Sequence, residues 1–220
     1  LLSMGANGLR RLREAHSAKA RIPFGSREAI LINTGGGLAG GDHFSFDITA
    51  EDGARLTVTS QAAERVYRSL GPAAEVEVKL NAGSGATLMW LPQETILFDG
   101  AALSRRIEAD LAADARLLAV ESVILGREAM GETIAEARLS DRWRIRQDGK
   151  LIFADDLRFA GRPPASAATL QVLPEGAHAD GAADLWTTTE LRTALEDDGI
   201  PANRARTERA GLAESVIFTS

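Results

Sequence analysis

A mainly β fold, wound as a sandwich, barrel or solenoid, is what this 220-residue sequence predicts, and three observations carry that prediction. Short runs of strictly alternating apolar and polar residues recur along the chain. Turn signals separate those runs about every ten residues. Helical patterns of the length that βαβ units would need do not intervene over residues 1–172.

The elements run in order along the chain. "AILI" (29–32) reads as a short strand. In "HFSFDIT", Phe44, Phe46 and Ile48 share one face; Leu56 and Val58 do so in "ARLTVTS", and Val76, Val78 and Leu80 in "EVEVKL". Strands continue through "ATLMWL", "TILF", "LSRRIEADL" with Leu103, Ile107 and Leu111 in phase, "ARLLAVESVIL", "ETIAEARLS", "RWRIRQ" and "KLIFADDLRF". Between them stand the turns "EDGA", "NAGSG", "FDGA", "AADA", "LGREAMGE" and "QDGK". No exact repeat period is visible.

The C-terminal region reads differently. "LWTTTELRTALEDDG" carries a capping box, Thr187 with Glu190 three residues on, then Leu191 and Leu195 one turn apart and Gly199 as a stop. "PANRARTERAGLAES" (201–215) reads as a second, less apolar helix with Pro201 near its start. The organisation expected is a β-rich domain over 1–172, with 173–220 a short helical segment of the same domain.

Composition excludes several function classes. A net charge of −6 argues against a nucleic-acid surface, and the basic stretch "RRLREAHSAKAR" (10–21) reads as a solvated terminal segment rather than a binding arm. The chain has no cysteine, which excludes disulfides, thiolate catalysis and Cys-based metal sites. No apolar run approaches the roughly 18 residues that span a bilayer, so no membrane partner and a cytoplasmic location are expected.

"LINTGGGLAGGD" (31–42) contains the literal pattern G-x-G-x-x-G as Gly35, Gly37 and Gly40. A dinucleotide loop requires its last glycine to open a helix and an acid about twenty residues later. Here an alternating strand comes next, and Glu51 and Asp52 arrive too early. A Walker loop requires a lysine, and none occurs between Lys19 and Lys79. The remaining reading is a tight connection between strands, either a glycine-rich hairpin or a loop whose exposed amides can receive an oxygen, where glycine permits positive φ and close backbone approach.

Other templates fail too. His16, His43 and His178 are scattered, with no H-E-x-x-H and no nucleophile elbow anywhere. The carboxylate pair Glu94 and Asp99 has no spacing argument behind it. Gln93 and Glu94, then Gln61, Tyr67 and Arg68, then Arg127 and Glu132 stand beside turn-forming Gly or Pro; each set reads either as buried polar pairing or as a partner-facing surface. Trp90, Leu91, Ile96 and Phe98 are candidates for an exposed apolar patch.

Taken together, "NTGGGLAGGD" (33–42), "VTSQAAERVYRS" (58–69), "WLPQETILFDGA" (90–101) and "GREAMGE" (126–132) resemble the signature segments of the urease accessory protein UreD family, called UreH in some bacteria. The resemblance extends from about residue 21 to residue 160. Ser60 stands where the family commonly has a second Thr, and the region after about 173 resembles it poorly.

The resemblance implies a superhelical, solenoid-like β-rich fold with a small number of helices, mostly C-terminal. It implies a non-enzymatic maturation factor that binds urease apoprotein and recruits UreF and, through UreF, the GTPase UreG. A homodimer within that complex is compatible with it. No cofactor is bound tightly, and nickel is in transit to the urease site, where a carbamylated lysine bridges two ions. The residues carried over from the motifs are Asn33, Thr34, Gly36, Gly37, Gly40, Gly41 and Asp42, then Thr59, Gln61, Tyr67 and Arg68, then Pro92, Gln93 and Glu94, then Gly126, Arg127, Gly131 and Glu132. Among them Thr34, Asp42, Thr59, Gln61 and Glu94 are expected near the nickel path, and no fixed metal site is assigned. The competing reading is a β-rich module for a small carbohydrate or phosphate, with the glycine loop as its rim.

Overall fold

The computed structural model describes residues 1–127 and 130–163, and the backbone of 212–219. The described chain is mainly strand. β1 (Leu2–Gly5), β2 (Gly8–Leu12) and β3 (Ala18–Arg21) open it, followed by β4 (Glu28–Asn33), β5 (His43–Ala50), β6 (Arg55–Ser60), β7 (Glu64–Val66) and β8 (Ala74–Ala82). Then come β9 (Thr87–Leu91), β10 (Thr95–Leu97), β11 (Ala102–Leu111), β12 (Arg116–Leu125), β13 (Ala137–Gln147), β14 (Lys150–Gly161) and β15 (Leu212–Thr219).

These strands form two facing sheets, and the chain winds between them. One sheet runs β14-β13-β11-β8-β5-β1-β2; the other runs β3-β4-β6-β9-β12-β10-β7, with β15 antiparallel to β12. Neighbouring rungs are parallel, β5 to β8 to β11 to β13 on one side and β4 to β6 to β9 to β12 on the other. Parallel strands need a crossover, usually a helix. Here a strand of the opposite sheet is the crossover, which explains parallel pairing without helices and gives stacked solenoid coils.

Register turns the period-two patterns into ladders. Ile48, Leu80, Ala109 and Ile145 stack across one sheet and face Leu56, Leu88 and Leu117 of the other, and all seven are buried. The coils differ in turn length, so no fixed sequence period appears. The second sheet is also broken within its strands: β6 and β7 are separated by 61–63 and β9 and β10 by 92–94, Pro92 being unable to donate to the ladder.

Several expectations are corrected. Residues 1–21 are part of the fold, with Leu2 and Met4 of β1 in the core; Arg10, Arg11 and Arg13 lie on the exposed side of the edge strand β2 and just beyond it. "ETIAEARLS" is not a separate strand, because β13 begins at Ala137 and continues through "RWRIRQ". The helix read over 201–215 cannot include its last four residues, which lie in β15. The capping-box helix lies outside the described residues.

Trp90 is 3% exposed, since the period of two turns it inward, while Leu91, Ile96 and Phe98 are half-buried. The glycine run joins β4 of one sheet to β5 of the other, so it is an inter-sheet corner and not a hairpin. Among the described residues no helix is long and apolar enough to cross a membrane.

Candidate functional site

The four signature segments converge because each supplies the same corner of a successive coil. The connections β4–β5, β7–β8, β10–β11 and β12–β13 all lead from the second sheet to the first, and they stack through backbone hydrogen bonds. Tyr67 N donates to Leu38 O (2.8 Å), Ser69 N to Gly100 O (3.0 Å), Gly126 N to Leu97 O (2.8 Å) and Gly100 N to Glu136 O (2.7 Å).

Side chains then lock this corner. The Tyr67 hydroxyl donates to Gly36 O (3.0 Å), and its ring meets Phe98 edge-on, with centroids 5.3 Å apart. The Arg127 guanidinium lies 4.2 Å over the Phe98 ring and makes a bidentate pair with Glu132 through Nε (2.9 Å) and Nη2 (3.2 Å). Arg68 pairs with Asp99, whose Oδ1 accepts from Ala135 N (2.8 Å) and Glu136 N (3.2 Å). Asp99 is thereby committed to structure and is not half of a carboxylate dyad.

The glycines are explained by close approach. A Cβ on Gly37 would lie 2.4 Å from Tyr67 Cε2 and 2.8 Å from Arg65 O. One on Gly40 would lie 2.8 Å from Pro72 O. The run therefore seats an aromatic ring and a neighbouring corner rather than a phosphate. Asn33 Nδ2 closes the loop by donating to Gly37 O (3.1 Å) and to Glu64 Oε1 (3.1 Å), and Asp42 Oδ2 accepts from Ala39 N (2.7 Å).

Hydrogen bonds from Arg127 hold the Glu132 carboxyl below its usual range, and the backbone amides of Glu136 and Ala135 do the same for Asp99. A depressed carboxylate stabilises above its unfolded pKa, and that contribution is lost as pH falls through the folded value. Protection of the Ala135 and Glu136 amides, measured by hydrogen exchange against intrinsic rates, is expected to fall on acidification below the ordinary carboxylate range. In Asp99→Ala it should already be low at neutral pH.

Beneath this corner the two sheets enclose a cavity of about 90 Å³. Asn33, Ser60, Glu64 and Gln93 line it toward the surface; Thr95, Arg105 and Glu121 line it toward the interior, with Phe44, Phe46 and Trp90 on its apolar walls. Arg105 on β11 organises the inner end. Its Nε donates to Asp141 Oδ1 (3.1 Å), its Nη2 pairs with the other Asp141 oxygen, and its Nη1 reaches Glu121 and Thr95 Oγ1 (3.3 Å). Trp90 Nε1 donates to Glu121 Oε1 (2.8 Å). Arg105, Glu121 and Asp141 are each no more than 4% exposed.

Two carboxylates share one guanidinium, so the cluster carries a net −1 when both are ionised. Burial opposes the charge on Arg105, but Asp141 and Glu121 outweigh it and keep the guanidinium protonated. Burial pushes Glu121 up against the pull of Arg105, and Asp141 nearby adds to the rise. Burial likewise raises Glu64, with the Asn33 amide opposing it.

The structure thus brings Gly36, Gly37, Tyr67, Arg68, Arg127 and Glu132 to the corner, while Asn33, Pro92 and Gln93 border the cavity. None of Thr34, Asp42, Thr59, Gln61 and Glu94 lines that cavity. Alternation is the reason for two of them: it turns Ser60 inward with Leu56 and Val58 and leaves Thr59 on the other face, and it turns Gln93 and Thr95 inward rather than Glu94. Thr34 donates to Ser17 O (3.2 Å) at the surface, and Gln61 is exposed.

Ser60, Glu64, Thr95, Arg105, Glu121 and Asp141 escaped the sequence reading. For three of them a signal was there, since Arg105 falls in phase between Leu103 and Ile107, Glu121 between Ala119 and Val123, and Asp141 between Leu139 and Trp143. Among the described residues no group of three or more metal-ligating side chains is gathered to hold an ion.

Comparison with known proteins agrees with the signature segments and extends their reach. The family model described as UreD urease accessory protein matches residues 3–214, past the 21–160 that the motifs alone suggested. The urease accessory protein UreD of Rhodopseudomonas palustris (strain HaA2) is 53% identical over 153 residues, 68% of this chain and 55% of that protein. That of Rhizobium etli (strain CFN 42) is 48% identical over 172 residues, 77% of this chain and 63% of the relative. That of Xanthobacter autotrophicus (strain Py2) is 44% identical over 211 residues, 95% and 72%. The match to the first of these spans little more than half of that relative's length. A family match over nearly the whole chain, with signature segments that assemble into one corner, carries a single conclusion: the chain belongs to the UreD family of urease accessory proteins.

Proposed function

We propose that this protein serves urease maturation in the cytoplasm as a scaffold rather than a catalyst. It binds the urease apoprotein, recruits UreF and through it the GTPase UreG, and passes nickel as cargo toward the urease active site through the space between its sheets. GTP hydrolysis then belongs to UreG, in keeping with the failure of both nucleotide-loop patterns in this chain.

The observation that supports this most is the oxygen-lined cavity above a buried cluster of two carboxyl groups and one guanidinium. Asn33, Ser60, Gln93 and Thr95 offer neutral polar groups, and Glu64 and Glu121 offer carboxylates. Such ligands suit a hard-to-retain cation in transit; a tight imidazole or thiolate set would trap it. Trp90 and Arg105 hold the Glu121 carboxylate at the inner end.

The test is co-expression of the tagged chain with the urease subunits and UreF of its own organism, followed by pull-down and a urease assay in nickel medium. Capture of apo-urease and dependence of activity on the chain are expected. Saturable binding of a carbohydrate or phosphate, with urease indifferent to the chain, would overturn the proposal. Glu121→Gln keeps an acceptor for Trp90 and removes a charge worth about 1 kcal/mol or more to a nearby cation. It should therefore slow urease activation roughly five- to tenfold in limiting nickel, while capture of apo-urease is unchanged.

A further inference from the structure

A second, larger cavity adjoins the one just described. It measures about 340 Å³ and is bounded by Leu12, Glu14, His16, Lys19, His43 and the N-terminal Leu1, among others. Its origin lies in the strand pairing. β1 covers only Ile48, Thr49 and Ala50 of β5, so among the described residues the first half of β5 has no strand beside it on that edge. The sheets part there, and polar side chains of the β2–β3 connection line the opening.

The two cavities share three lining residues, Leu31, Phe44 and Phe46. Phe46 is the unusual one. It lies on the inward face between Phe44 and Ile48, both buried, yet it is itself only half-buried. Hollow space on either side of its ring accounts for this. Its ring centroid stands 6.2 Å from that of Phe44 and 6.4 Å from that of Trp90, the residue that holds Glu121. The inner cavity has its own mouth at the break between β6 and β7, where Ala62 is exposed and Ser60 and Gln93 are half-buried. Two cavities thus run in series from the N-terminal edge to the β6–β7 break, interrupted once, by apolar side chains.

We propose that Leu31, Phe44 and Phe46 form an apolar gate between the two cavities, with Phe46 as its moving part. A hydrated cation has oxygen partners on the inner side, opposite Arg105, and imidazole, carboxylate and hydroxyl groups beside Arg13 and Lys19 on the outer side, but no polar side chain at the partition. Apolar constrictions of this kind exclude ions by denying them hydration, so passage requires the ring to turn aside. A phenyl on the part of β5 that, among the described residues, has no strand along one edge is well placed to do so. The identity of the cargo rests on the urease reading above; the existence of the gate does not.

The absence of native cysteine makes the test direct, because Val76→Cys would be the only thiol in the chain. Val76 lines the inner cavity and not the outer, and it pairs in register with Phe44. The probe is a trimethylammonium methanethiosulfonate, and the readout is its rate of reaction with the Val76→Cys chain. Adding Phe46→Ala is expected to raise that rate roughly tenfold, equivalent to about 1.4 kcal/mol off the barrier to entry. Phe46→Leu should give an intermediate rate, and Leu12→Ala, which touches only the outer cavity, no change. Melting curves show which variants are folded, and Phe46→Leu serves where Phe46→Ala is not. Entry through the other mouth adds the same background throughout, so equal rates with and without the Phe46 substitutions would overturn the gate. In the urease assay, Phe46→Ala should speed and Phe46→Trp should slow nickel-limited activation. Altered labelling with unaltered activation would refute a gate on the metal route and leave the urease reading standing. Urease activity that ignores the wild-type chain would sink that reading, while the labelling rates still decide the gate.

Discussion

Arg105→Met is expected to lower stability by about 3–5 kcal/mol at neutral pH, read from the midpoint and slope of urea unfolding. The side chain is 4% exposed and pairs with both Glu121 and Asp141, which are buried to a similar degree. Removing it leaves two carboxylates in a site of low polarity, and the penalty is their uncompensated charge rather than the lost contacts. Lysine cannot rescue the site, because it has no planar fork to serve Asp141 and Glu121 together.

The sign of the pH dependence comes from the same burial. Burial already raises the Glu121 carboxyl above its unfolded value, and loss of the guanidinium removes the attraction that opposes that rise. A carboxyl raised in this way weakens the fold as pH climbs through its folded value, so the gap between variant and wild type should narrow as pH falls toward the ordinary carboxylate range. A triple variant, Arg105→Met with Glu121→Met and Asp141→Leu, removes every charge at once. It is expected to recover most of the stability and to remain poor in nickel-limited urease activation, which separates the structural cost of the cluster from its use.

Gly37→Ala is the second large effect, at about 3 kcal/mol, combining backbone strain with overpacking, each of order 1–3 kcal/mol. The residue has φ +146, and its added Cβ would fall 2.4 Å from the Tyr67 ring and 2.8 Å from a backbone oxygen that cannot move alone. Gly36→Ala is the matched control. Its φ is +77 but nothing lies within 4 Å of the added atom, so only strain of about 1 kcal/mol applies. Equal melting temperatures for the two variants would show that the ring contact does not stabilise the corner. Because Tyr67 also donates to Gly36 O and packs on Phe98, Gly37→Ala should loosen the Arg127–Glu132 pair as well, seen as lost amide protection at Arg127.

Much of the architecture is legible in the order of residues. Alternation in "HFSFDIT", "EVEVKL" and "LSRRIEADL" identifies β5, β8 and β11, because a half-buried strand shows its two faces in its own sequence. The glycine run loses its nucleotide reading for the same reason, since residues 43–49 directly behind it alternate with period two. Arg105, Glu121 and Asp141 are visible as charges on apolar faces, but a phase says only that a residue points inward and not which groups it meets there.

The class of the fold, the family through four ordered segments, and the absence of thiolate and nucleotide-loop chemistry can all be read from the sequence. These depend on residues close together in the chain, where periodicity, turn chemistry and residue type act locally. Four other features emerge only when the coils stack: the segments share one corner, Ser60 and Gln93 rather than Thr59 and Glu94 face the cavity, Leu2 and Met4 of β1 belong to the core, and Leu31, Phe44 and Phe46 line two interior spaces. Each of these depends on which coil lies on which and in what register, and that is set by contacts between residues some thirty positions or more apart, the separation for which a single sequence carries no local signal.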